Sequence, residues 1–210
     1  MSGIVIQGNT SGTGTFTITA PNSDTSRTLT LPDVSGTLVT GDDIAINGIT
    51  SDYTAGTALN IDSSGRVTTP QQVSFRAQKT VDQTGGSGSV TVTWDSMAYD
   101  VGSNFNLGTS KFIAPVTGKY AFSAGLRIDS IDTAAGYYLI RIVTSNSNYQ
   151  WIIDPNFSSD LQYMSFTVST IADMDASDTV FVELLQSAGH AATHVHGSLG
   201  YDWFCGHLLG

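Results

Sequence analysis

The chain has 210 residues, a formal net charge of −10 and only 12% charged side chains. That balance repels phosphate backbones, which excludes nucleic acid as a partner class. At 40% hydrophobic and 10% aromatic the chain is too apolar for intrinsic disorder, and no apolar run approaches the roughly 20 residues of a membrane helix.

The opening residues do not read as a secretory signal, lacking its basic and apolar regions. Residues 1–70 are Thr- and Gly-rich, with short strands between polar turns. Candidate strands cover 3–7, 14–20, 27–31 and 37–40, and Phe16 and Ile18 alternate onto one face. A weak repeat is present. Asp33-x-Ser35-Gly36-x-Leu38-x-Thr40 returns as Asp62-x-Ser64-Gly65-x-Val67-x-Thr69, an offset of 62 − 33 = 29 residues. Oily side chains are sparse here: Ile6, Phe16, Ile18, Leu29, Leu31 and Leu38 make one stripe. Burying it within one chain does not offset a backbone ordering cost of about 1–2 kcal/mol per residue. The expectation is an extended β stalk over 1–70 that is ordered by other copies wrapped around one axis, a homotrimer.

Two stalk segments carry a resemblance. Residues 28–40 read Thr-Leu-Thr-Leu-Pro-Asp-Val-Ser-Gly-Thr-Leu-Val-Thr. Residues 58–70 read Ala-Leu-Asn-Ile-Asp-Ser-Ser-Gly-Arg-Val-Thr-Thr-Pro, with Ser74-Phe-Arg-Ala77 close behind. Both resemble segments of bacteriophage tail-fibre and virion-appendage proteins. The resemblance implies that the second segment joins a fibre shaft to a globular tip.

From residue 71 to 210 the pattern becomes that of one domain. Strands are expected over 74–79, 89–94, 118–128, 137–143, 149–153, 163–171, 179–185, 194–196 and 202–209, with no helical period anywhere. Between the second and third lies a polar, turn-rich segment with spaced aromatics: Trp94, Tyr99, Asp100, Phe105 and Phe112, then Pro115-x-x-Gly118-x-Tyr120-x-Phe122. Tyr120 and Phe122 share a face because strand side chains alternate. The chain closes on Phe204-Cys205-Gly206-His207-Leu208-Leu209, where Cys205 reads as a small buried hydrophobe in a core strand. As the one cysteine, it cannot form a disulfide within a chain.

These two stretches resemble the signature and closing strand of the complement C1q globular head, a jelly roll related to tumour-necrosis-factor-like trimers. Asp100, Phe105, Phe112, Gly118, Tyr120, Phe122, Phe204 and Gly206 stand at the family's spacings. Trp94 replaces a usual Phe, and Ala124 replaces a final aromatic. The resemblance implies an all-β C1q/TNF-like sandwich over 71–210 that trimerises and carries its function in loops.

Candidates for chemistry are few. Residues 85–89, Gly-Gly-Ser-Gly-Ser, lack the Gly-Lys-Ser/Thr ending of a phosphate loop and read as a hairpin loop. Residues 173–178 begin like a calcium loop, but Asp178 stands where Gly belongs and Leu184 where Glu belongs. His190-x-x-x-His194-Val195-His196 is the sharpest pattern. In a strand, His194 and His196 point the same way. At a threefold axis three such pairs supply six nitrogens, an octahedral set for a divalent metal, and the phage resemblance implies the same. The competing reading is a pair of solvent-exposed loop histidines. Tyr99, Tyr149 and Trp151 are candidate recognition aromatics, although Trp151 alternates with Ile153 and reads first as core. No nucleophile elbow, metalloprotease helix or carboxylate pair is present, so the chain is expected not to be an enzyme.

The two resemblances together imply a phage virion protein, made in the bacterial cytoplasm. It would be a trimeric fibre, attached to other virion proteins through its N-terminal region. Its head would meet a host receptor or surface glycan, without membrane insertion. A head fibre or capsid decoration protein docked through its N-terminus is the alternative, and a tip polysaccharide depolymerase is a distant third.

Overall fold

The computed structural model describes residues 11–12, 60–61, 64–189 and 192–210. The chain divides into two units, Met1–Thr50 and Ser51–Gly210, and the architecture below is that of the second. The stalk stripe from Ile6 to Leu38, the first copy of the repeat and His190 lie outside the described residues.

Every regular element among the described residues is a strand, and every strand pair is antiparallel. A short hairpin joins β1 (Asn60–Ile61) to β2 (Val67–Thr68). Gly65, at φ 76°, supplies the left-handed backbone between them. Then come β3 (Ser74–Gln78), β4 (Gln83–Thr84), β5 (Gly88–Thr91), β6 (Ser96–Val101), β7 (Phe105–Asn106) and β8 (Lys111–Ile113). The long β9 (Gly118–Ile131) is followed by β10 (Tyr138–Thr144), β11 (Asn148–Ile153), the equally long β12 (Leu161–Met174), β13 (Thr179–Gln186), β14 (His194–Val195) and β15 (Trp203–Leu208).

The expected all-β sandwich forms from two sheets. In the seven-stranded sheet β9 pairs with β12 along its whole length on one side. On its other side it pairs first with β15 and then with β14, and the sheet continues from β15 through β3 to β6. The second sheet runs β11-β10-β13-β8-β7, with β5 also on β13. β6 departs from expectation. Its sequence, Ser96–Val101, reads as turn-rich, yet it pairs with β3 across a register shift between Arg76 and Ala77. A neighbouring strand's open hydrogen-bonding edge overrides local propensity there.

Alternation decides what fills the space between the sheets. In β9 the even positions Tyr120, Phe122, Ala124, Leu126 and Ile128 are buried. Phe75 of β3 and Phe204 of β15 come from the same sheet, while Phe105 and Phe112 come from the facing one. Phe75 stacks on Phe112 at 4.8 Å between ring centres and lies 5.0 Å from both Phe105 and Phe204. Trp94 closes the cluster 6.1 Å from Phe204. Such contacts add roughly 0.5–1.5 kcal/mol per pair beyond area burial.

The remaining signature residues build turns. The Asp100 carboxylate accepts from the N–H groups of Asn104 (3.1 Å) and Phe105 (3.0 Å), which folds the chain from β6 into β7. The Tyr120 hydroxyl donates to the Val116 carbonyl at 2.8 Å, tying β9 to the turn before it. Gly206 is a packing glycine. A Cβ there would stand 2.5 Å from the Phe122 ring and 2.8 Å from that of Phe75.

Cys205 corrects the sequence reading. It lies half-buried on the outer face of β15 rather than in the core, because Phe204 and Gly206 occupy the inward positions. Ionisable groups are buried instead, Lys79 and Asp202 among them. Lys79 donates from Nζ to the Thr93 carbonyl (2.9 Å) and hydroxyl (3.1 Å), and desolvation lowers its pKa. Asp202 accepts from the Arg127 N–H through Oδ1 at 2.8 Å, while its buried Oδ2 meets no donor. Burial raises the Asp202 pKa to about 6.

Two predictions follow from this packing. Gly206→Ala is expected to cost about 1–3 kcal/mol by overpacking, read as a lower urea midpoint with an unchanged slope. For Asp202 the folded pKa lies above the ordinary one, so the native state holds its proton more tightly. Its contribution to stability is therefore largest below pH 3.8 and is lost as pH rises to about 6. Asp202→Asn keeps the Oδ1 acceptor and removes this titration. Its stability relative to wild type should climb across that window in urea titrations at stepped pH.

Candidate functional site

The same alternation that sends aromatics inward presents a second set of side chains outward from the seven-stranded sheet. On β9 these are Ala121, Ser123, Gly125, Arg127 and Asp129; on β12 they are Tyr163, Ser165, Thr167, Ser169 and Ile171. β15 contributes Trp203, Cys205 and His207. The centre of this face is small and neutral. The Ser123 and Ser169 hydroxyls meet at 2.6 Å, and a shallow depression is lined by Ala121, Ser123, Ile171, Cys205 and His207. Trp203 lies flat enough over Gly125 that a Cβ there would stand 2.7 Å from its Nε1, and the Arg76 guanidinium sits 5.2 Å from the Trp203 ring centre. The apolar outliers are Tyr163 and Ile171, each 61% exposed. Burial pushes the Cys205 thiol pKa up, the reverse of what a nucleophile needs.

One end of the face is charged. Arg127 lies 4.6 Å from the Tyr163 ring centre and 5.5 Å from that of Tyr201. Its Nε and Nη2 grip Asp129 at 2.7 and 3.0 Å. His194 stands opposite Asp129 in the β14–β9 ladder. The next imidazole, His196, is fixed by its own N–H on the Arg127 carbonyl at 2.9 Å. Both histidines face Asp129 and also Asp82, which arrives from the segment before β4.

The recognition aromatics are not gathered. Tyr99 lies on the edge strand β6 rather than in a loop, and is half exposed. Tyr149 is half-buried against the sandwich core. Trp151 is 58% exposed, which removes its reading as core. It sits on β11, which among the described residues is an edge strand paired with β10. The acidic turn at 173–178 is held by its own bonds. Asp178 accepts from Asn146 Nδ2 (2.7 Å) and the Asp175 N–H (2.9 Å), and Asp173 pairs with Lys119.

Arg127, Asp129, Asp82, Tyr163 and Tyr201 were absent from the sequence-level candidates. Alternation from Phe122 places Arg127 and Asp129 on the outer face, so that much could have been found. Nothing local marks Asp82, because it meets the histidines only through the pairing of β14 with β4.

A profile of the C1q domain family matches residues 74–209. Among solved structures, the globular domain of zebrafish complement 1qA protein is 18% identical with a TM-score of 0.47, covering 66% of this chain and 98% of that one. Murine APRIL is 11% identical with a TM-score of 0.49, covering 66% and 99%. No match was found among curated proteins. Domains of the C1q kind are generally non-enzymatic binding domains. With its signature aromatics packed between two antiparallel sheets, and the family match running from the first strand of the sandwich to the last, this chain belongs to the C1q domain family.

Proposed function

We propose that this protein is a non-enzymatic virion appendage of a bacteriophage, a homotrimer whose C1q-like heads contact the host surface above an N-terminal stalk. The observation that carries the trimer is the outer face of the seven-stranded sheet. Its centre is lined with Ala, Ser, Gly and Thr, which allow close approach of a second backbone. Ile171 and Tyr163 stand beside it, exposed on β12. A sheet face that is neutral, flat and rimmed by large apolar groups is suited to burial between copies. The stalk supports the same reading, since its single oily stripe needs neighbours to cover it. Host-surface contact is supported by the virion-like wording of residues 28–40 and 58–70. Exposed Trp151 and Ile152 at the sandwich edge offer apolar anchors for a receptor or glycan.

Sedimentation equilibrium tests the assembly. The wild-type chain is expected to sediment at three times its chain mass at micromolar concentration. Ile171→Asp places three desolvated carboxylates between copies and is expected to yield monomers with an unchanged circular dichroism spectrum. A wild-type monomer at that concentration overturns the trimer. The role is tested by incubating labelled protein with host cells, where the expected outcome is saturable binding weakened at least tenfold by Trp151→Ala. Antibody to the N-terminal residues then places the protein on the particle. Labelling of the tail supports the fibre; labelling of the capsid shell shifts the role to head fibre or decoration.

A further inference from the structure

The charged end of the outer face has an electrostatic imbalance that the fold alone does not resolve. Four side chains from three neighbouring strand segments converge there. His196 Nδ1 lies 3.4 Å from Asp82 Oδ1 and 3.5 Å from Asp129 Oδ2. His194 Nε2 lies 3.8 Å from Asp82 Oδ2 and 3.8 Å from Asp129 Oδ2. None of these contacts is a hydrogen bond: two are too long, and His196 Nδ1 is a buried atom without a hydrogen-bond partner.

The tautomer of His194 sharpens the point. Its Nδ1 is 3.1 Å from the Ala192 carbonyl. A carbonyl can only accept, so Nδ1 carries the hydrogen, and in the neutral ring the lone pair is on Nε2. That lone pair faces two carboxylates. The lone pair of His194 and the oxygens of two carboxylates around one small space repel unless something positive stands between them. Arg127 is bidentate on Asp129, with Nη2 on the Oδ2 that faces both histidines, and it makes no bond to Asp82 among the described residues, which leaves the second carboxylate to be balanced.

We propose that Asp82, Asp129, His194 and His196 of a single chain form a binding site for one divalent transition cation of the zinc class. The donor set is two imidazole nitrogens and two carboxylates, which suits a tetrahedral borderline metal. Four donors bonded to such an ion at about 2.0–2.2 Å lie roughly 3.3–3.6 Å apart along the edges of the tetrahedron. The separations in the chain, 3.4 to 3.8 Å, are wider by at most a few tenths. As the side chains stand, no group of three or more His, Cys, Asp or Glu among the described residues is arranged to hold a metal ion, so binding requires the four arms to move inward by that amount.

The supports expected around such a site are in place. Asp82 Oδ1 accepts the Gly197 N–H at 2.7 Å, Asp129 is oriented by Arg127, and His194 by Ala192. His194 is held through the nitrogen that points away, while Asp82 Oδ1 and Asp129 Oδ2 accept these bonds on one lone pair and keep a second for the ion. The ion would tie the Asp82 segment and the turn after β14 to β9. The site needs one chain only, unlike a metal held by His194 and His196 from three chains at an axis, and it stands whether or not the head meets a host surface.

The test uses the full chain, untagged and stripped with a chelator, titrated with Zn²⁺ by calorimetry and checked by elemental analysis. The expected result is one zinc per chain, with the intense visible bands of a four-coordinate centre when Co²⁺ replaces it. Asp82→Asn is the decisive variant, because Asp82 is largely exposed and its loss leaves the core intact. It is expected to weaken zinc at least tenfold, as is His196→Ala, whereas His207→Ala on β15 should leave it unchanged. A zinc-dependent rise in thermal midpoint should disappear in Asp82→Asn. Three outcomes overturn the proposal: no zinc retained by the wild-type chain, zinc unaffected by Asp82→Asn, or one zinc per three chains.

Discussion

The fold depends on a knot of aromatic rings that two sheets share. Phe75, Phe122 and Phe204 project from one sheet, Phe105 and Phe112 from the other, and Phe75 touches rings from both. Room for that knot comes from an absence. Gly206 has no side chain where the Phe122 and Phe75 rings pass within 3 Å of its missing Cβ. The family signature is therefore a packing rule. It specifies which strands donate rings, which position stays empty, and how Asp100 and Tyr120 hold the turns that deliver the rings.

Because β-strands alternate, fixing the inward set fixes the outward set too. Once Tyr120 and Phe122 face the core, Ala121 and Ser123 must form a half-buried floor on the outer face and Arg127 and Asp129 must share one outer edge. The outer face of this sheet is thus an inherited consequence of the core, and its composition is where the chain is free to vary. Here the centre is small and neutral while one end is densely charged. A neutral centre suits close contact with another copy. A charged end that pairs two carboxylates with two imidazoles suits a cation.

How much of this could be read from the chain depended on distance along it. Trp94, Phe105, Phe112, Tyr120, Phe122 and Phe204 were legible because aromatic spacing and alternation are local properties. Cys205 was misplaced because the phase of a short strand is ambiguous until its neighbours are known, and Phe204 and Gly206 set that phase. Trp151 read as core by alternation with Ile153, but alternation says only which residues share a side. The position of β11 at the sheet edge left that side partly open. β6 was missed because its residues have weak strand propensity and are recruited by the open edge of β3.

By itself the sequence determined an all-β domain with a C1q-type aromatic signature, since period-two patterning and the spacing of large rings need no knowledge of long-range pairing. It also placed two histidines on one side of a strand. Only the tertiary structure decided what those histidines face. Asp82 and Asp129 reach them through the β4–β14 and β14–β9 ladders, and the register of a ladder is settled by the whole sheet closing over its core, a condition no short window of residues contains.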